Sequence, residues 1–178
     1  MHWKISKEFD FCYGHRVWSQ ELNPEFSLDP CLKCRHLHGH QGKIIIYLQS
    51  DVLTNGMVTD FKHLNWFKAF IDDVLDHKFI LDIHDPLFET LLPHYANKKD
   101  LIEFPEGFKA FNLTKIKDEP EHILEMYEGF IIVDFVPTSE NLSAWIMKIV
   151  QEKIEKLNIT VSKVEFYETP KSKSSVYA

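Results

Sequence analysis

The sequence is poor in the features that define several whole classes of protein. Its 178 residues include only three cysteines, too few for a small secreted scaffold that disulfides hold together. It contains no apolar run of about 18 residues, the length that a membrane crossing needs, and no charged-then-apolar leader. Insertion into a membrane and secretion are therefore not expected, and a cytoplasmic location is.

Acidic residues outnumber basic ones, 27 to 20, which limits the partners to expect. The formal net charge is −7, and such a balance argues against general nucleic-acid binding. Only two residues are arginines, Arg16 and Arg35. A guanidinium group suits phosphate oxygens, but solvated surface explains both arginines equally well. With 44% hydrophobic residues and no linker, repeat or low-complexity tract, residues 1–178 are predicted to form one domain.

The most informative stretch is residues 34–40, of sequence CRHLHGH. In an extended strand, alternate side chains share a face, so His38 and His40 point the same way and Gly39 adds no bulk between them. The same alternation continues into the apolar residues of 42–48. The two imidazoles are therefore predicted to lie at the start of a strand that is buried further along.

A third metal ligand is expected from the N-terminal segment. Most residues that share the parity of His15 along residues 3–15 are apolar, so His15 is predicted to end a half-buried strand on its apolar face. Three neutral imidazoles leave zinc with a vacant coordination position, whereas structural zinc is usually closed by four ligands that include cysteines. The pattern predicts a reactive Zn²⁺ site formed by His15, His38 and His40.

The cysteines permit a different metal site. Cys31 and Cys34 have the Cys-x-x-Cys spacing and, with His36 and His38, could form a closed zinc knuckle in a non-catalytic binding module. This alternative is weaker because structural sites usually take their second ligand pair from a separate segment. A redox dithiol is a further alternative, but the pair does not lie between a strand and a helix as that chemistry prefers. Cys12 is expected to pack in the core.

Cys34 itself lies in a polar, charged run, where packing is a poor explanation for a cysteine. The neighbouring Arg35 and the predicted metal ion would both favour its thiolate form. Because a thiolate near a metal-bound substrate can remove a proton, Cys34 is a candidate catalytic base.

Two helices and several short elements complete the predicted structure. Asp60 can cap a helix that ends near Asp76, and Thr138 or Ser139 can cap a second helix. The second helix has one apolar face, formed by Leu142, Trp145, Ile146, Ile149, Val150, Ile154 and Leu157. A turn is predicted at residues 104–107, an additional strand at 129–136 and a short final strand at 174–177.

Several motifs together resemble one known family, the zinc-dependent pterin enzymes that comprise the 6-pyruvoyltetrahydropterin and 6-carboxytetrahydropterin synthases. They occur in the family's order at residues 14–16, 34–40, 56–61, 75–77, 137–142 and 167–169. The resemblance implies zinc on His15, His38 and His40 and a nucleophile or base at Cys34. It also implies a proton-relay pair at Asp76 and His77 and a pterin anchor at Glu168. Thr138 and Glu140 are candidates for the border of the same pocket.

Glu168 has a physical argument of its own. It shares strand parity with Val164 and Phe166, which predicts a carboxylate on a buried face, where it needs a partner. The amino-pyrimidinone edge of a pterin offers two parallel N–H donors that suit a carboxylate, and a salt bridge to a basic residue is the alternative. The family's substrate also carries a triphosphate, for which Arg16 and Arg35 are candidate ligands.

The resemblance implies a reaction, a fold and an assembly. Three residues separate Cys34 from His38, as in the carboxy-forming branch, which converts 7,8-dihydroneopterin triphosphate to 6-carboxy-5,6,7,8-tetrahydropterin with release of acetaldehyde and triphosphate. This reaction belongs to the pathway toward queuosine, a deazapurine of tRNA, and the pyruvoyl-forming synthase is the alternative. The implied fold is α+β, the tunnelling fold, with a four-stranded antiparallel sheet, two helices on one face and an insertion at residues 84–128 between them. Homo-oligomers, trimers or hexamers, are expected.

Overall fold

The computed structural model describes residues 1–178 and contains one mixed sheet of eight strands. The strands are β1 (Trp3–His15), β2 (His38–Ser50), β3 (Lys78–Asp82), β4 (Leu101–Glu103), β5 (Lys109–Phe111), β6 (Phe130–Val133), β7 (Thr160–Thr169) and β8 (Ser172–Tyr177). The α-helices are α1 (Asn65–Phe70), α2 (Phe88–Leu91), α3 (Glu121–Glu128) and α4 (Ser139–Ile154). None of them combines the length and the apolar composition that crossing a membrane requires.

The predicted α+β class is confirmed, but the predicted four-stranded antiparallel sheet is wrong. The strand order is β4-β5-β6-β3-β1-β2-β7-β8, so the four expected strands form one half of a larger sheet. β7 is antiparallel to both β2 and β8, whereas β3 pairs in parallel with β1 and with β6. One added strand, β6, confirms the additional strand predicted at residues 129–136. The others, β3, β4 and β5, have three to five residues each, too few for a clear alternation of apolar and polar residues.

The chain divides into two compact units, of which the first comprises residues 1–12, 40–76 and 138–178. Its core is apolar and includes edge-on aromatic pairs, with ring centroids 5.1 Å apart for Phe9 and Phe67 and 5.9 Å apart for Phe11 and Phe166. Aromatic pairs of this kind stabilise a core beyond the area they bury.

Both predicted helices lie in the first unit. The side chain of Asp60 accepts a hydrogen bond from the Lys62 amide, and a helical run through residues 61–75 ends before Asp76 turns to extended backbone. Thr138 caps α4 by accepting from the Asn141 amide. The apolar face of α4 is buried as predicted, except that Leu157 lies in the 3-10 turn after the helix and is 37% exposed.

The second unit comprises residues 13–39 and 77–137 and includes the whole insertion. The insertion adds strands, short helices and its own aromatic cluster, in which the rings of Tyr95, Phe111 and Tyr127 lie 4.6 to 5.1 Å apart. The predicted turn at residues 104–107 is confirmed, because Gly107 donates its amide proton to the Phe104 carbonyl at 2.9 Å. Gly107 has a φ of 83°, in the left-handed region that favours glycine.

The fully buried carboxylate of β7 is Glu165, which sequence reasoning missed because its side of the strand looks polar. Its oxygens accept hydrogen bonds from Lys173 Nζ at 2.6 Å, Tyr47 Oη at 2.7 Å and Lys163 Nζ at 3.0 Å. Burial raises the pKa of Glu165, but these hydrogen bonds outweigh burial and lower that pKa from 4.5 to about 2. Glu165 is therefore ionised in the folded protein.

We predict that Glu165→Gln lowers the unfolding free energy by about 2 kcal/mol, because it leaves two lysines without their counter-charge, and lowers Tm by about 4 to 8 °C. Since the folded-state pKa lies below the ordinary value of 4.5, the contribution of Glu165 is present above that pH and is lost as the pH falls toward 2. When thermal unfolding is measured between pH 7 and pH 3, the Tm of the variant should fall less at acidic pH than the Tm of the wild type.

The matched control is Glu103→Gln, which breaks the exposed ion pair with Lys109 and should barely change Tm, because exposed pairs contribute little. Equal Tm values for the two variants would contradict the stabilising role of Glu165.

Candidate metal centre

Three histidines meet where β1 ends and β2 begins. His15 is the last residue of β1, and His38 and His40 are the first and third residues of β2. Their candidate ligand atoms all lie within 4.8 Å of one another, and the rings of His15 and His38 have centroids 4.6 Å apart. His15 is buried and the other two are half-buried. The structure thus brings together the three residues predicted to bind a metal.

Hydrogen bonds fix the tautomers of two of these rings. Nδ1 of His15 lies 2.6 Å from the Pro137 carbonyl oxygen, and Nδ1 of His38 lies 2.8 Å from the His36 carbonyl oxygen. Because a carbonyl only accepts, each Nδ1 must donate, and the neutral ring then has its lone pair on Nε2. Metal-binding histidines are usually held in this way, so the donor set fits a metal ion.

The cluster is also close to the size that an ion requires. Ligand nitrogens about 2.0 to 2.1 Å from a tetrahedral ion lie about 3.3 Å apart, and the present upper limit is 4.8 Å. Small rotations of the side chains would close this difference.

Two glycines permit the close packing around the histidines. A Cβ atom on Gly39 would lie 2.9 Å from the Tyr13 carbonyl oxygen, and one on Gly14 would lie 2.5 Å from the Phe79 ring. Backbone cannot move aside as a flexible side chain can, so the contact at Gly39 leaves no room for a larger residue. The prediction that Gly39 adds no bulk between His38 and His40 is therefore confirmed.

Cys34 lies in a 3-10 turn over Lys33–Arg35, where it is half-buried and its thiol is free. Its carbonyl accepts from the Val17 amide at 2.7 Å, and its own amide donates to Gln20 Oε1 at 3.0 Å. The guanidinium of Arg35 donates twice to the Gln20 carbonyl, at 2.9 and 2.5 Å. The catalytic role of Cys34 stays a prediction.

The expectation that Cys12 packs in the core is wrong. Cys12 is exposed because even-numbered residues of β1 face away from the core that Phe11 and Tyr13 enter. Its amide donates to Asp76 Oδ1 at 2.8 Å.

Asp76 and His77 follow the helical run directly. Asp76 is half-buried and has extended backbone, whereas His77 is exposed and has a φ of 60°. This left-handed conformation is uncommon for any residue other than glycine, and such backbone strain is found more often at functional sites. The proton-relay role of the pair stays a prediction.

Arg16 is buried beside a carboxylate that sequence reasoning missed. Its Nε lies 3.2 Å from Asp85 Oδ2, and the two side chains are 8% and 0% exposed. Neither atom meets the geometry of a hydrogen bond in this pair, so the contact is an ion pair with poor alignment. A guanidinium paired in this way offers less charge to a phosphate, and the phosphate role of Arg16 stays a prediction.

Glu168 is half-buried rather than fully buried, because the strand parity used to place it breaks nearby. The register between β7 and β8 shifts between Tyr167 and Thr169, and a shift of this kind re-aims the side chain within it. Thr138 serves as the cap of α4, with its Oγ1 3.3 Å from the Asn141 amide, and Glu140 is exposed in the first turn of that helix.

Comparison with known proteins places the chain in one family. A family model described as 6-pyruvoyl tetrahydropterin synthase matches residues 4–178. The 6-carboxy-5,6,7,8-tetrahydropterin synthase of Aquifex aeolicus is 32% identical over 185 aligned residues, which cover 98% of this chain and 97% of that protein.

Solved structures share the fold of this chain. An uncharacterized protein of Wolinella succinogenes is 61% identical with a TM-score of 0.98, over 99% of this chain and 98% of that one. The 6-pyruvoyl tetrahydropterin synthase of Plasmodium vivax has a TM-score of 0.58 over 100% and 98% of the two chains, and at 16% identity it shows a shared fold alone. Because the family model spans almost the entire sequence, the chain belongs to the 6-pyruvoyl tetrahydropterin synthase family of enzymes.

Proposed function

We propose that this chain is a zinc-dependent 6-carboxy-5,6,7,8-tetrahydropterin synthase, which converts 7,8-dihydroneopterin triphosphate with release of acetaldehyde and triphosphate. The observation that carries the proposal is the convergence of His15, His38 and His40 within 4.8 Å. It occurs in a chain that is 32% identical, over 98% of its length, to an A. aeolicus protein of that name. The spacing of Cys34 and His38 supports the same branch of the family.

The donor set supports zinc as the metal. Neutral imidazoles are favoured ligands of Zn²⁺, and a site with three protein ligands keeps one position open for substrate. When bound, zinc would supply Lewis-acid polarisation of the hydroxyl groups on the substrate side chain. The carbonyls of Pro137 and His36 hold two of the three rings in the tautomer that this site needs.

The remaining chemistry falls to side chains near the substrate. Cys34 acts as the base that takes a proton from the substrate side chain, and Asp76 and His77 relay protons. Glu168 holds the pterin by accepting two parallel N–H bonds, with Thr138 and Glu140 bordering the pocket.

Arg35 is the better supported ligand of the triphosphate. It is half-buried and makes its hydrogen bonds to a neutral carbonyl, whereas Arg16 is buried beside the carboxylate of Asp85. A guanidinium whose charge is not neutralised attracts phosphate oxygens more strongly. Location in the cytoplasm and assembly into trimers or hexamers belong to the same proposal.

Cys34→Ala should bind zinc and pterin normally but turn over about a hundredfold to ten-thousandfold more slowly, because it lacks the base. Cys31→Ala is the matched control and should be nearly silent. Mass spectrometry of the wild-type product formed from 7,8-dihydroneopterin triphosphate should identify the carboxylated pterin, with acetaldehyde released alongside.

A pyruvoyl product without acetaldehyde would assign the chain to the pyruvoyl-forming synthases instead. Full activity in Cys34→Ala would rule out Cys34 as the base. Zinc bound without any turnover would favour the non-catalytic module that uses Cys31, Cys34, His36 and His38.

Glu168→Gln should weaken the binding of a pterin by on the order of a hundredfold, since hydrogen bonds to a charged group contribute roughly 1.5 to 3 kcal/mol each. The substitution keeps the shape of the side chain but replaces one acceptor by a donor that faces another donor. Isothermal titration calorimetry would measure the change, with Glu155→Gln, at an exposed position after α4, as the control. Equal affinities for wild type and Glu168→Gln would remove Glu168 from the pterin site.

A further inference from the structure

The segment that follows His15, residues 16–20, forms hydrogen bonds with both the carbonyl and the amide of Cys34. The Val17 amide donates to the Cys34 carbonyl at 2.7 Å, and the Cys34 amide donates to Gln20 Oε1 at 3.0 Å. Both polar groups of the Cys34 backbone are therefore bonded to the same short segment. Of these two hydrogen bonds, only the one with Gln20 involves a side chain.

Gln20 also binds the next residue of the turn. The backbone carbonyl oxygen of Gln20 accepts two hydrogen bonds from the Arg35 guanidinium, at 2.9 and 2.5 Å. The backbone amide of Gln20 donates to the Val17 carbonyl at 3.1 Å, which closes the segment into a turn. The turn Lys33–Arg35 has no buried residue, so hydrogen bonds rather than core packing hold it in place.

Two buried carboxylates anchor this segment in turn. Trp18 Nε1 donates to Asp82 Oδ2 at 2.9 Å, and Arg16 pairs with Asp85 at 3.2 Å. Asp82 is the last residue of β3, which pairs with the end of β1. The position of Gln20 is thus set by the strands that also set the position of His15.

We propose that Gln20 is a positioning residue for Cys34, fixing the turn that carries the thiol relative to the segment that begins at His15. The proposal rests on the proposed function, in which Cys34 is the base. A misplacement of about 1 Å in a reacting group can cost about a hundredfold in rate, so one hydrogen bond to the Cys34 backbone is enough to affect turnover.

Gln20→Met tests the proposal because methionine keeps the length of the side chain and removes the acceptor. We expect kcat to fall by about tenfold to a hundredfold, with KM, zinc content and Tm close to those of the wild type. Gln20→Glu retains an oxygen that accepts from the Cys34 amide, so this variant should recover most of the lost kcat at saturating substrate. Its KM should rise, because the new carboxylate neutralises part of the charge of Arg35, the proposed ligand of the triphosphate.

A second readout does not depend on catalysis. In a Cys12→Ser, Cys31→Ser background, iodoacetamide reports on Cys34 alone. Loss of one hydrogen bond, about 1 kcal/mol, corresponds to about a fivefold change in local opening, so Gln20→Met should raise the alkylation rate by about fivefold and Gln20→Glu should leave it near the wild-type value.

Gln151→Met is the matched control, since Gln151 Oε1 accepts from the Val161 amide at 2.8 Å, the same kind of contact elsewhere. It should change neither the alkylation rate nor kcat. Equal alkylation rates in Gln20→Met and Gln151→Met would overturn the proposal, whatever their activities. Faster alkylation in Gln20→Met with an unchanged kcat would support the hold of Gln20 on Cys34 and contradict the role of Cys34 as the base.

Discussion

The backbones at Tyr13 and Gly39 lie too close for a side chain between them, and this close approach sets the positions of the histidines. A Cβ atom on Gly39 would come within 2.9 Å of the Tyr13 carbonyl oxygen, so only glycine fits between His38 and His40. Strand alternation then directs both histidines to one face, and His15 follows two residues after Tyr13. Backbone geometry thus brings the three imidazoles together.

Hydrogen bonds from outside the two strands complete the arrangement. The Pro137 carbonyl, just before the cap of α4, fixes the ring of His15, and Gln20 fixes the backbone of Cys34. Neither acceptor belongs to a strand that carries one of the three histidines. Residues outside the proposed chemistry thus hold the His15 ring and the Cys34 backbone in place.

The parts of the molecule that could be predicted from sequence are those with a long regular pattern or a local signal. The alternation that ends at His15 extends over a strand of 13 residues, and the Thr138 cap acts within its own helix. The sheet could not be predicted in full because β4 and β5 have three residues each and are held by pairing and by the core of the second unit. Asp85 and Glu165 were missed because their burial depends on partners distant in the sequence, Arg16 and Tyr47. Glu168 is less buried than predicted, because a register shift breaks the alternation around it.

X-ray absorption at the zinc edge, on protein loaded with one equivalent of Zn²⁺, tests the metal centre most directly. A site formed by His15, His38 and His40 predicts nitrogen and oxygen ligands at about 2.0 to 2.1 Å and no sulfur. The same measurement on His15→Ala should show zinc lost or its ligands changed, whereas His122→Ala, at an exposed position, should match the wild type. Sulfur ligands at about 2.3 Å would instead place the metal on Cys31 and Cys34 and contradict the three-histidine centre.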